Sequence, residues 1–183
     1  MVYSGQTTPS VTGGMNLNLR YKQFSLGSGF AMIVGANTRL NSPYANFNSG
    51  YKIPNSELNV DRMLLDRWQK AGDELVTDIP SINPGNITTV KLPDGLTTGT
   101  LLSFWEKSDV MVANASFLRC RNIDLSWRFD QKWVNKLRLS NLSVTASMNN
   151  VFVIASRKFN GLDPELKNSV MPKSFSFGIN CGI

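Results

Sequence analysis

The segment PKSFSFGINCGI, residues 172–183, decides the fold. From position 175 its odd positions are Phe, Phe, Ile, Cys and Ile, and the even positions between them are Ser, Gly, Asn and Gly. An alternation with a period of two places the apolar side chains on one face of a β-strand and the small or polar ones on the other. The sequence therefore predicts a strand over 172–183 whose apolar face needs nonpolar surroundings.

Four earlier segments alternate in the same way, and the first two flank a tight turn near Gln23, which predicts a hairpin. The faces opposite the apolar stripes carry small or polar side chains, unlike the charged faces of a solvated sheet. Among these side chains are Asn122, Asp124, Ser126, Thr145 and Asn149. The predicted strands lie near residues 15–22, 24–34, 116–129, 140–152 and 172–183.

The connections between these strands alternate in length, with short links and two long loops, 35–115 and 153–171. A β-sandwich has loops of comparable length at its two ends, whereas a transmembrane barrel has short periplasmic turns and long extracellular loops. The sequence contains no run of about 18 apolar residues, which a membrane-spanning helix would require. The pattern favours an all-β fold, an antiparallel transmembrane β-barrel segment. A soluble carbohydrate-binding β-sandwich module, which would also be rich in strands and aromatic residues, remains the alternative.

The first long loop contains one helical signal, in the segment NSELNVDRMLLDRWQKAGD, residues 55–73. Asn59 is placed to cap a helix, apolar residues follow at helical spacing, and Gly72 is placed to end it. Five side chains of this helix could dock a partner protein or form the polar side and anchor of a helix packed on neighbouring loops. They are Asp61, Arg62, Asp66, Arg67 and Trp68.

The composition excludes several classes of chemistry. The chain has no histidine, so it cannot build a Ser-His-Asp triad, a Cys-His pair or a histidine-ligated zinc site. Its two cysteines, Cys120 and Cys181, are too few for a four-cysteine metal site. The alternation places them on opposite faces of the sheet, which predicts that they form no disulfide. We identify no catalytic, metal-binding or cofactor-binding residue and expect no enzyme activity.

The chain carries a formal net charge of +6, and its densest basic segment is RCRNIDLSWRFDQKWVNKLR, residues 119–138. Basic and aromatic side chains together can bind single-stranded nucleic acid, or they can mark the interfacial ends of a membrane strand. The aromatic residues share the apolar face, and the charges lie at strand ends without forming one basic stripe. We therefore expect this segment to contact membrane lipid and not nucleic acid. Arg119 and Arg121 would lie at one end of the predicted strand 116–129. The opposite end carries Trp127, Phe129, Trp133, Lys132, Lys136 and Arg138.

Several segments resemble the C-terminal end of the SusC/RagA family of TonB-linked outer-membrane proteins, the large nutrient importers of Bacteroidetes. The resemblance covers most of the chain and is densest from Asn114 onward. The strand segments that carry it are LNLRYKQFSLGSGF, ASFLRCRNIDLSW, SNLSVTASMNNVFVI and PKSFSFGIN, and the loop segments are LLDRWQKAGD and FNGLDPE. Their order and spacing together are specific, although each segment alone is not.

The resemblance implies that these residues form about the last five strands of a plugged barrel of about 22 strands in the cell outer membrane. The plug domain and the TonB-contacting part would lie elsewhere in the protein. The implied partners are the rest of the barrel and its plug, TonB, outer-membrane lipid, a SusD-like surface lipoprotein, and oligosaccharide or peptide cargo. The resemblance also implies that the last strand pairs with the first, although Ile183 stands where family members usually end on an aromatic residue.

The loop motif GLDPE places Asp163, Pro164 and Glu165 together between two predicted strands. These residues could contact cargo or the lipoprotein. Ordinary turn chemistry predicts a local turn instead, in which Gly161 supplies a permissive backbone and Asp163 caps neighbouring N–H groups.

Overall fold

The computed structural model describes residues 3–45, 59–82, 89–91, 98–167 and 169–183. Parts of the predicted loop 35–115, and the first residues of its predicted helical segment, lie outside the described residues. Within the described ranges the chain forms nine strands. They are β1 (Val11–Tyr21), β2 (Phe24–Val34), β3 (Asn37–Arg39), β4 (Thr89–Lys91), β5 (Thr98–Thr100), β6 (Val112–Asn114), β7 (Phe117–Arg128), β8 (Asn141–Ala155) and β9 (Ser174–Gly182).

The helices of the described residues are short. Two are α-helical, α1 (Leu101–Lys107) and α2 (Gln131–Lys136). Four 3₁₀ turns complete the set, at Arg62–Asp66, Asp73–Leu75, Asp109–Met111 and Arg157–Phe159. No helix in the described ranges has the length and apolar character needed to cross a membrane.

The five long strands form one antiparallel sheet in the order β1-β2-β7-β8-β9. This confirms the predicted all-β antiparallel fold. The strands differ from the predicted ranges mainly at the loop end, where β1 begins at Val11 and β8 continues to Ala155. Gly13 and Gly14 interrupt the apolar alternation there, and Asn150 interrupts it in β8. The other sheets of the described residues are two-stranded, so these residues do not form the second large sheet that a β-sandwich requires.

The apolar side chains of the large sheet share one face. In the β8–β9 pair, Ala146 lies opposite Phe177, Val144 opposite Ile179 and Met148 opposite Phe175. Side chains of directly paired residues point to the same side of a sheet, as the alternation predicts. We call this side the apolar face and the other side the polar face. The apolar face is exposed: Phe177 is 81% exposed and Ile179 is 74% exposed.

A β-bulge interrupts β7 and changes the predicted facing of Cys120. Gly29 pairs with Asn122, but the next residue of β2, Phe30, pairs with Cys120, so Arg121 is an additional residue. One extra residue reverses the alternation on one side of the bulge. Cys120 therefore lies on the apolar face, where its Sγ is 3.6 Å from the hydroxyl of Ser28. The prediction that it lies on the polar face is wrong.

Both cysteines are free, although not for the predicted reason. Cys120 pairs with Phe152 of β8, and Cys181 pairs with Leu142 of the same strand. Both thus lie on the apolar face, separated by roughly 30 Å along β8 at about 3.3 Å per residue. A disulfide needs Cα atoms within about 7 Å.

The chain divides into two compact units. One contains the large sheet and comprises residues 5–38 and 114–183; the other comprises 1–4 and 39–113. The second unit has its own small core of Tyr44, Leu64 and Leu102, against which Ile79, Ile82 and Trp105 pack. Burial raises the pKa of Tyr44 to about 12, and its hydroxyl donates to the carbonyl of Pro80.

The predicted loop helix is shorter than expected. It is a 3₁₀ turn over Arg62–Asp66, and Asp61, not Asn59, caps it by accepting a hydrogen bond of 2.9 Å from the N–H of Met63. Gly72 lies at the start of the next 3₁₀ turn with a φ of 103°. Among the described residues of this unit, α1 is the α-helix. It is capped by Thr100 and Ser103, and the apolar spacing did not predict it.

Candidate functional site

The most distinctive polar cluster of the large sheet is centred on Arg119. The bulge at Arg121 turns Arg119 and Phe117 to the polar face, where Arg119 lies beside Ala31 of β2. Without the additional residue, the alternation of β7 would direct this guanidinium to the apolar face. The bulge therefore aims a cation at the connection between β8 and β9.

Arg119 forms a bidentate ion pair with Asp163 of that connection. Its Nη1 is 2.7 Å from one carboxylate oxygen and its Nη2 is 2.8 Å from the other. A second carboxylate, that of Glu165, accepts from Nη2 at 2.6 Å. The side chains of Arg119 and Asp163 are 6% and 2% exposed, whereas that of Glu165 is 44% exposed. The guanidinium thus joins a central strand to the loop in a site that water hardly reaches.

Asp163 also organises the loop that carries it. Its carboxylate accepts from the N–H of Glu165 at 2.9 Å, and its carbonyl accepts from the N–H of Lys167 at 2.7 Å. Gly161 and Lys167 adopt positive φ angles of 84° and 62°. Local turn chemistry predicted the cap and the glycine conformation. It did not predict that the same carboxylate binds a strand residue.

Apolar side chains close the site. The guanidinium of Arg119 lies 5.0 Å from the centre of the Phe117 ring, a distance suited to a cation–π contact. Phe117 is 7% exposed, and Phe159 of the loop is 2% exposed. We call residues 156–167 and 169–173 the strap, because the ion pair between Arg119 and Asp163 holds this segment over the polar face of the sheet.

The ion pair sets the protonation of Asp163. Burial alone raises the pKa of this carboxyl, but the hydrogen bond from Arg119, the N–H of Glu165 and the positive charge of Arg119 outweigh burial and hold the pKa below its usual value. Asp163 is therefore a carboxylate at neutral pH, and the strap is joined by charge throughout the physiological range.

A hollow of about 480 Å³ lies beside the strap on the sheet unit. Its wall combines a carboxylate, a second guanidinium, two amides, a hydroxyl and a few apolar groups. These polar groups can bind a polar ligand through hydrogen bonds, but they include no nucleophile paired with a base. The lining includes Thr12, Ala31, Ile33, Phe117, Arg121, Asn149, Asn150, Glu165 and Met171.

The other predicted polar-face residues mostly bond within the sheet. Asn122 donates to the carboxylate of Asp124, and Asn149 donates to the hydroxyl of Ser174 at 3.1 Å. Thr145 is 3.5 Å from the carbonyl oxygen of Gly178, and Ser126 pairs with Thr145 across β7 and β8. Only Asn149 of this set lines the hollow beside the strap.

The predicted loop-helix residues lie in the other unit and bond there. Arg67 donates to the carbonyl of Leu64 at 2.8 Å, and the indole of Trp68 donates to Glu74 at 3.0 Å. Asp61 caps its own 3₁₀ turn. These contacts fit the interpretation of Asp61, Arg67 and Trp68 as polar side and anchor of a local turn.

Comparison with known proteins gives a consistent result. No family model matches the chain. It is 37% identical over 75 residues to the TonB-dependent receptor SusC of Bacteroides thetaiotaomicron, covering 38% of this chain and 7% of that protein. It is also 38% identical over 89 residues to the TonB-dependent receptor P39 of Formosa agariphila. This match covers 48% of this chain and 8% of that protein. The match thus spans less than a tenth of each relative.

Solved structures extend the similarity over almost the whole chain. The RagAB peptide importer in its closed-closed state matches 97% of this chain and 18% of that one, with 26% identity and a TM-score of 0.61. The open-open state of the same importer matches 97% of this chain and 17% of that one, with 27% identity and a TM-score of 0.59. The resemblance to the SusC/RagA family that the sequence motifs indicated is confirmed, and these relatives are TonB-dependent receptors and a peptide importer.

Proposed function

We propose that this chain, a relative of SusC and RagA, forms part of the barrel wall of a TonB-dependent importer in the outer membrane. The observation that carries the proposal is the contrast between the two faces of the sheet. The apolar face exposes large side chains such as Phe177 and Ile179, and the opposite face is small and polar. A barrel wall has lipid on one side and a polar lumen on the other.

The edges of the sheet support the same proposal. β1 and β9 are its outer strands, and each has one neighbour among the strands of the described residues. In hydrocarbon, each backbone N–H or C=O group without a partner costs several kcal/mol, and only a closed barrel satisfies them all. The five strands therefore need further strands to close a barrel, and the resemblance implies a barrel of about 22 strands with a plug in its lumen.

The partners and cargo follow from the resemblance. The importer would take energy from TonB and work with a SusD-like surface lipoprotein. Its cargo would be peptide or oligosaccharide fragments; the RagAB relative is a peptide importer. In this arrangement the strap narrows the lumen, because it covers the Arg119 end of the polar face of β7 and is held there by the ion pair.

Uptake measurements test this function. The gene that encodes the chain is deleted in its natural host, and uptake of fluorescent oligopeptides and oligosaccharides is compared with that of the parent, with and without TonB. We expect one cargo class to enter the parent only when TonB is present, and neither to enter the deletion strain. Unchanged uptake of both classes after deletion would contradict the proposal.

The detergent requirement of the purified protein tests the membrane part of the proposal separately. The exposed apolar face predicts aggregation in plain buffer and a monodisperse particle in detergent. A monodisperse protein without detergent would instead favour the soluble carbohydrate-binding module.

A further inference from the structure

Six basic side chains surround the short turns of the large sheet, and we call them the basic rim. All six are exposed. Among the described residues, the ion pairs all involve Arg119 and none involves the rim. The acidic residue of these turns, Asp130, accepts a hydrogen bond from Gln23. The rim consists of Arg20, Lys22, Arg128, Lys132, Lys136 and Arg138.

The turn between β7 and β8 presents apolar side chains beside this charge. Val134 of α2 is 1% exposed and anchors the turn, whereas Trp133 and Leu137 are 62% and 59% exposed. Residues four apart share a side of a helical turn, so Trp133 and Leu137 extend together. Lys132 and Lys136 extend together on the side opposite Val134.

The neighbouring groups indicate which way the two apolar side chains extend. Gln131 and Val134 line a hollow together with Ser143 and Asn180 of the polar face and Leu142 of the apolar face. Trp133 and Leu137 do not line this hollow. They project from the side of α2 that lies opposite to Gln131.

The apolar face ends at the same level in a group of aromatic rings. Phe24 stacks on Trp127 with ring centres 5.7 Å apart, and Trp127 lies 4.2 Å from Phe129. The ammonium of Lys22 lies 5.3 Å from the centre of the Tyr21 ring. Aromatic rings with cations immediately beyond them are what a membrane interface selects.

We propose that the basic rim binds the phosphate groups of anionic phospholipids, with Trp133 and Leu137 inserted among the adjacent acyl chains. The inference rests on the proposed membrane function and goes beyond it by naming the lipid class. Charge complementarity carries it, because a zwitterionic headgroup offers the rim no net charge. Nucleic acid fits less well, because single strands need free ring faces, and the rings of Phe24, Trp127 and Phe129 pack on one another.

The contribution of the rim's positive charge to lipid binding is tested in the whole protein that contains this chain. The protein is purified in detergent and titrated with phosphatidylglycerol or phosphatidylcholine. Lipid retention is counted by native mass spectrometry. We expect the unaltered protein to retain phosphatidylglycerol preferentially, and the triple variant Lys132→Gln, Lys136→Gln, Arg138→Gln to lose about fivefold in affinity per cation. The control, Arg157→Gln, Lys167→Gln, Lys173→Gln, removes the same charge at the strap end and should keep the preference.

The apolar pair is tested with Trp133→Ser and Leu137→Ser, which leave the charge unchanged. We expect both lipids to be retained less, with the preference for phosphatidylglycerol intact. Equal retention of the two lipids by the unaltered protein would overturn the inference, as would tighter binding of a single-stranded oligonucleotide than of phosphatidylglycerol. An importer that inserts and takes up cargo but shows no lipid preference would refute this inference alone; failure to insert in any bilayer would refute the proposed function as well.

Discussion

At the scale of single residues, Arg119 and Asp163 have the largest influence on the structure of the strap. A buried, bidentate pair is costly to break from one side, because the remaining charge loses its partner in a site that excludes water. The sequence alone did not reveal this pair. The GLDPE motif predicted a turn correctly, but Arg119 belongs to an alternating segment in which one unseen bulge decides which way the side chain points.

The variant Asp163→Asn keeps the shape of the side chain and removes its charge. We expect the free energy of opening of the strap to fall by about 3 kcal/mol, the lower end for a broken buried pair, because Glu165 still contacts Arg119. Hydrogen exchange of residues 157–167 measures this opening. The control, Glu165→Gln, alters a half-exposed partner and should cost under about 1 kcal/mol. Equal effects of the two variants would contradict the assigned importance of Asp163.

The same pair predicts a dependence on pH. The folded-state pKa of Asp163 is depressed, so its contribution to stability is present above the unfolded-state value of about 4 and is lost as pH falls toward the folded-state value. Protection factors of the strap, corrected for intrinsic exchange rates, should be constant from about pH 7 to pH 5 and fall below about pH 4. In Asp163→Asn this acid-dependent step should disappear; its persistence would assign the titration to another group.

At the scale of elements, the strand faces were predictable and the irregularities were not. Alternation in 175–183 and 142–148 correctly predicted the faces of β9 and β8, because a strand with one apolar face tolerates no slip of register. The bulge at Arg121 and the positive φ of Asn150 leave no such signal, and the bulge at Arg121 made the prediction for Cys120 wrong. The 3₁₀ turn at Arg62–Asp66 was predicted as a longer helix because apolar spacing alone does not show where helical hydrogen bonding stops.

The register of β8 and β9 can be measured by cross-linking. In a background without the two natural cysteines, Ala146→Cys with Phe177→Cys joins directly opposed residues, and we expect a disulfide after mild oxidation. The matched control, Ala146→Cys with Ser176→Cys, places the second thiol on the other face and should remain reduced. A cross-link in the control alone would show that β9 is shifted by one residue.

At the scale of the whole molecule, the strap and the basic rim lie at opposite ends of the large sheet. The strap covers the polar face at one end, and aromatic rings border the apolar face at the other end. The outer strands of the described sheet are β1 and β9. The division into an apolar and a polar face was predictable from alternation, and the resemblance to the SusC/RagA family was recognisable from the motifs. The ion pair was not, because it joins residues 44 positions apart through a bulge.

The most direct test of the membrane assignment is a scan of β9 with nitroxide spin labels in the whole protein reconstituted into lipid bilayers. Single cysteines replace residues 174–180 in turn, and the accessibility of each label to oxygen and to a water-soluble nickel complex is measured. We predict high oxygen accessibility at Phe175, Phe177 and Ile179, and preference for the nickel complex at Ser174, Ser176 and Asn180. Preference for the nickel complex at every position, with no period of two, would contradict the assignment of this sheet to a membrane-spanning wall.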